Sequence, residues 1–114
     1  MQTLMVFLAI AHLLVIALAI PMIRGRVKPN SLYGFRIPLT LDNPEIWYPA
    51  NRFAGWLLLI WALISLAATL VLPLRPGMDL DRYAIWLLAI DLVGLAVVFL
   101  LSWRYARRLA RRNS

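Results

Sequence analysis

The stretch that decides the fold is residues 53–72, FAGWLLLIWALISLAATLVL, which contains no charged side chain. It has roughly the 20 residues an α-helix needs to cross a hydrocarbon layer of about 30 Å. Apolar side chains fall on every face of it, whereas a helix lying on a soluble core shows one apolar stripe. Residues 4–23 and 83–103 repeat the pattern on either side. With 63% hydrophobic and 15% charged residues among 114, the chain has too little polar surface for a soluble domain of its size. The expected fold is all-α: an integral membrane three-helix bundle, one domain over 1–114, with helices at about 3–23, 52–73 and 82–108 and a long loop over 24–51.

Basic residues set the expected orientation. Arg24, Arg26, Lys28, Arg36 and Arg52 lie in the first loop, and Arg104, Arg107, Arg108, Arg111 and Arg112 in the tail. The second loop holds Arg75 and Arg82 beside Asp79 and Asp81, and no basic side chain precedes the first span. By the positive-inside rule the N-terminus is outside and the C-terminus inside, with the long loop cytoplasmic. Ala17-Leu18-Ala19 has the small-x-small look of a cleavage site, but no basic segment precedes it, so the first helix reads as uncleaved. Trp47, Tyr48, Phe53 and Trp56 near one border, Trp103 and Tyr105 at the end of the third span, and Tyr83 and Trp86 at the outer border suit interfacial anchors. The net charge of +7 sits at membrane borders, which argues against direct nucleic-acid binding.

The loop is denser in polar and aromatic residues than a plain connector. Pro29-Asn30-Ser31 reads as a turn start, and Tyr33-Gly34 as a tight backbone position. In Asn43-Pro44-Glu45 the asparagine can cap free N–H groups, the proline suits the first helical position and the glutamate complements the dipole. A short interfacial helix is expected over 44–48, with Pro49 kinking it or opening the second transmembrane helix.

These residues carry a resemblance. Pro29-Asn30-Ser31-Leu32-Tyr33-Gly34-Phe35-Arg36-Ile37-Pro38-Leu39-Thr40-Leu41, then Trp47-Tyr48-Pro49-Ala50-Asn51-Arg52-Phe53-Ala54-Gly55, resembles the signature of the SdpI family of small bacterial membrane proteins. The order Pro-Asn, Tyr-Gly-x-Arg, Thr-Leu, Trp, Ala-Asn-Arg and Gly is kept, and the resemblance covers roughly 24–72; Ile37 departs from the pattern, which often has Thr there. It implies an immunity and signalling protein of the bacterial cytoplasmic (inner) membrane. Such a protein binds a membrane-active antibacterial toxin peptide, or relays its presence by holding a cytoplasmic transcriptional regulator at the membrane. The residues it points to are Pro29, Asn30, Tyr33, Gly34, Arg36, Thr40, Trp47, Asn51, Arg52 and Gly55.

Physical roles follow for several of these. Arg36 and Arg52 can clasp phosphates or carboxylates in bidentate fashion, or fix the loop. Asn30 and Asn51 are expected to hydrogen-bond loop backbone, and Tyr33 and Trp47 to close the loop over the bundle.

Inside the membrane stand His12 and Asp91, both about 12 to 14 Å from the outer border at ~1.5 Å per residue. A lone carboxylate at that depth is costly, so Asp91 is expected to face the bundle and pair with His12, with Ser65 near enough to join. The pair reads either as a structural interhelical hydrogen bond or as a proton-responsive switch, which would make the chain a small transporter or channel subunit. Nothing suggests an enzyme: there is no plausible Ser-His-Asp order, no metal-ligand cluster, no glycine-rich phosphate loop and no cysteine. No cofactor or metal is expected. Small residues Ala62, Ser65, Thr69 and Gly94 permit close helix approach, and a homo-oligomer is expected because three spans bury little surface. The C-terminal arginines form a basic stripe suited to anionic lipids, at about 1 kcal/mol per charge, or to docking a cytoplasmic regulator.

Overall fold

The three apolar blocks form three long helices, because a backbone out of water must satisfy its N–H and C=O groups within its own segment. The structure, a computed structural model, describes residues 1–112. Helix α1 is Gln2–Ile23, α2 is the single turn Pro38–Leu41, α3 is Pro44–Val71 and α4 is Leu80–Arg112; a 3-10 turn, Leu72–Leu74, follows α3. No strand occurs among the described residues. All three long helices are long and apolar enough to cross a membrane. The molecule measures 55 × 22 × 19 Å, longer than a hydrocarbon layer of about 30 Å, and the excess of α4 is its arginine-rich last turns.

Helix α3 is the centre of the bundle and packs against both α1 and α4. At Gly55 it comes so near α1 that a Cβ would lie 3.0 Å from Ile23 Cγ1 and 3.1 Å from the Ala19 carbonyl. Gly94 does the same for α4: a Cβ there would run into the Trp61 indole, so the missing side chain is the seat of that ring. Ala62, Ser65 and Thr69 are fully buried within the single chain. The small residues therefore serve packing inside the monomer, and its outer faces carry Phe7, Ile10, Leu14, Ile64 and Val93.

The loop end differs from the expected layout in four respects. The second long helix starts at Pro44, not near residue 52, and the short interfacial helix expected over 44–48 is its opening turns. Pro49 removes one backbone bond near the helix start but does not interrupt it. Ile46, Trp47, Ala50, Asn51 and Ala54, one face at helical spacing, are buried against the loop and hold the helix through that point. The loop's own helix is α2, which opens on Pro38. Asn43 occupies the cap position of α3, yet its side chain makes no cap bond; it donates instead to the Leu39 carbonyl, closing the α2–α3 junction.

At the opposite end, Tyr83 is not an interfacial anchor. It is fully buried, and its hydroxyl donates to the Thr69 carbonyl at 2.6 Å, tying the start of α4 to α3. Trp56 and Trp86, each about half exposed, do lie on the outer surface.

Candidate functional site

The candidate site is the loop from residue 24 to 43 and the α3 face that receives it. Its first element is the end of α1. Gly25 adopts φ +69, and the Gly25 and Arg26 amides donate back to the Met22 and Pro21 carbonyls, the double bond of a Schellman stop. Arg52, from α3, donates through Nε to the Ile23 carbonyl at 3.1 Å, so this arginine supports the same helix end.

Asn30 organises the next turn. Its Oδ1 accepts the Leu32 and Tyr33 amides at 2.7 and 2.9 Å, and its Nδ2 donates to the Lys28 carbonyl at 2.6 Å. Pro29 sits exposed just before it. Arg36 folds back to donate from Nη1 to the Ser31 carbonyl at 2.7 Å, drawing residues 31–36 into a closed loop.

Two buried polar side chains then fasten the loop to the bundle. Asn51, 2% exposed, accepts the Phe35 amide on Oδ1 at 2.7 Å and donates Nδ2 to the Trp47 carbonyl at 3.0 Å, with a longer approach of 3.4 Å to the Phe35 carbonyl. Thr40 accepts the Ile37 amide on Oγ1 at 3.1 Å and donates to the Phe35 carbonyl at 2.8 Å. Between them they pair the backbone where the chain turns inward, which a buried loop in an apolar setting requires. Trp47, fully buried, donates its indole N–H to the Val27 carbonyl at 2.7 Å. Gly34, at φ +116, passes so close to Asn51 and Trp47 that a Cβ would lie 2.8 Å from Asn51 Oδ1 and 3.3 Å from the indole.

The consequence of this fastening is a shaped apolar space. Tyr33, Gly34 and Phe35 cover one end of a cavity of about 400 Å³ that also touches α1 at Leu18, α3 at Trp61 and α4 at Leu95. Phe35 meets Phe99 of α4 edge to face, with ring centroids 5.8 Å apart. The lining is almost wholly hydrocarbon, so it suits an apolar side chain or acyl chain rather than a polar substrate.

The structure thus brings Asn30, Tyr33, Gly34, Arg36, Thr40, Trp47, Asn51 and Arg52 to one end of the molecule, with Gly55 at the α1–α3 approach one turn deeper. Away from them, His12 Nε2 lies 3.1 and 3.2 Å from the two Asp91 carboxylate oxygens and bridges α1 to α4. The Trp61 ring stands edge-on to His12 at 5.5 Å. Ser65 Oγ is buried and makes no hydrogen bond to this pair. Three residues that organise the site carried no distinctive sequence signal. Phe35 looks like one more apolar residue, Gly25 one more loop glycine, and Trp61 one more apolar residue in a span.

No curated protein and no solved structure matches the chain. The family model for the SdpI/YfhL protein family does match, over residues 26–110. That span takes in the Asn51-fastened loop from Arg26 onward, α3 and nearly all of α4, and leaves out α1 with His12. With the matched span covering most of the chain and three helices able to cross a membrane, the chain belongs to the SdpI/YfhL family of membrane proteins.

Proposed function

We propose that this family member is an immunity or signalling protein that meets a membrane-active antibacterial peptide within the bilayer. The observation that carries this reading is the apolar cavity roofed by Tyr33, Gly34 and Phe35. It couples a hydrocarbon-lined space, where an inserted peptide presents apolar side chains, directly to the loop. An occupant that displaces Phe35 pulls on a backbone held by Asn51 and Thr40, and through that strain alters the loop surface offered to a cytoplasmic regulator. The distribution of basic residues supports an orientation with the loop and C-terminus in the cytoplasm of a bacterial inner membrane. A homo-oligomer, if it forms, would use the outer faces of α1 and α4, where large apolar side chains are exposed.

The His12–Asp91 contact acts in this reading as a strut between α1 and α4, and a transport role gains no support from it. The test is survival of a sensitive bacterium expressing the protein, challenged with membrane-active peptides. Wild-type protein protects, while Leu95→Trp, which fills the cavity without touching the loop's hydrogen bonds, does not at equal membrane abundance. Absence of protection by wild type, or full protection by Leu95→Trp, overturns the proposal.

A further inference from the structure

A second constellation lies between α3 and α4 at the loop end, apart from the cavity under Phe35. Pro49, Arg52, Phe53 and Trp56 of α3 are spaced i, i+3, i+4, i+7, and Leu101, Arg104, Tyr105 and Arg108 of α4 repeat that spacing. Each set therefore forms one stripe on its helix. The stripes meet at Phe53 and Tyr105, whose rings stack with centroids 4.3 Å apart and planes 14° from parallel. On one side of the stack, Phe53, Leu101, Arg104, Tyr105 and Arg108 line a hollow of about 270 Å³. On the other, Pro49, Arg52, Phe53, Trp56 and Tyr105 line one of about 240 Å³.

Charge makes these hollows more than surface relief. Arg52, Arg104 and Arg108 have no acidic partner among the described residues. Arg52 is positioned by its Nε bond to the Ile23 carbonyl, whereas the neighbouring Arg107 is turned over the Trp103 ring at 4.8 Å. Three guanidinium groups thus flank an aromatic stack at the end of two membrane-spanning helices, with half-exposed Trp56 beside them. A basic pocket between transmembrane helices at this level matches the phosphate of an anionic lipid, and the adjoining apolar helix faces match its chains.

We propose that the α3–α4 groove is a binding site for an anionic phospholipid, with the phosphate held by Arg104 and Arg108 beside the Phe53–Tyr105 stack and its chains on the adjoining apolar helix faces. The occupant is a lipid and not a soluble phosphate, because the hollows open among Leu101, Trp56 and Phe53. The site does not depend on the immunity reading.

The test is native mass spectrometry of the full chain released from detergent in the presence of equimolar phosphatidylglycerol and phosphatidylcholine. Wild type retains phosphatidylglycerol selectively. Arg104→Gln with Arg108→Gln loses at least ~5-fold of that retention, the factor equivalent to one interfacial charge. Arg24→Gln with Arg26→Gln, which removes equal charge at the same end, keeps it. Should the first pair fail to run as a monodisperse species, Arg108→Gln against Arg24→Gln makes the same comparison. Equal loss in both pairs would mean diffuse charge, equal retention of the two lipids would mean no headgroup site, and displacement by glycerol phosphate at matched concentration would mean a soluble ligand. Each of these overturns the proposal.

Discussion

Asn51 and Phe35 lie 16 residues apart, and the asparagine Oδ1 takes the phenylalanine amide at 2.7 Å inside the bundle. That bond anchors the loop at the point where it covers the apolar cavity. Asn51→Ala leaves the Phe35 amide unpaired, at about 1–3 kcal/mol. We expect a lower midpoint of thermal unfolding in detergent and faster proteolysis within 24–43. Asn51→Asp, which places a buried carboxylate against the Trp47 and Phe35 carbonyls, should destabilise at least as much as alanine.

Gly34 and Gly77 make a matched comparison. Both have positive φ, but a Cβ at Gly34 collides with Asn51, whereas at Gly77 nothing lies within 4 Å. Backbone strain alone costs on the order of 1–3 kcal/mol. Gly34→Ala should therefore destabilise clearly more than Gly77→Ala in the same melting experiment; equal effects would show that the contact with Asn51 is slack.

Trp47 contributes both a ring to the core and an N–H to the Val27 carbonyl. Trp47→Phe keeps most of the ring and strands the carbonyl, while Trp47→Ala empties the site, at about 3–5 kcal/mol. Unfolding midpoints should rank wild type, phenylalanine, alanine, with alanine sharply reduced in membrane abundance.

Tyr83 and Trp86 start the same helix and should respond differently to loss of their polar tips: Tyr83→Phe lowers the unfolding midpoint and Trp86→Phe does not. Tyr83→Phe removes the bond to the Thr69 carbonyl, and hydrogen bonds between transmembrane helices average about 0.6 kcal/mol with a maximum near 1.7. Trp86→Phe at an exposed position should leave the midpoint within error.

His12 and Asp91 predict a modest structural effect. Asp91→Asn keeps an acceptor for His12 and should cost no more than about 1 kcal/mol. Peptide protection should survive it at equal abundance. Loss of protection with an intact fold would return the pair to a functional role.

The three helices were legible because hydropathy alone reports them, and of the small residues expected to permit close approach, Gly94 sits where α3 and α4 meet. The start of α3 was not. Asn43-Pro44 marks a helix start correctly, but Pro49 suggests a break, and only the packing of Ile46, Trp47 and Ala50 against the loop explains why the helix runs through. Tyr83 misled for a related reason. An aromatic residue with a polar tip at a border suits both an anchor and a buried tie, and the choice depends on whether a carbonyl on the neighbouring helix is within reach.

The sequence by itself determined that this chain forms three apolar helices joined by one elaborate and one short loop. Segments of about 20 apolar residues have one way to keep their backbone paired away from water, and that constraint is local. The His12–Asp91 pair was legible from residue type and depth, but the tertiary structure decided the other meetings: Asn51 with Phe35, Trp47 with Val27, Tyr83 with Thr69, and Phe53 stacked on Tyr105. Those partners lie from 14 to 52 positions apart. Such pairings follow from how helices rotate and approach one another, a property of side-chain packing that hydropathy and residue type do not encode.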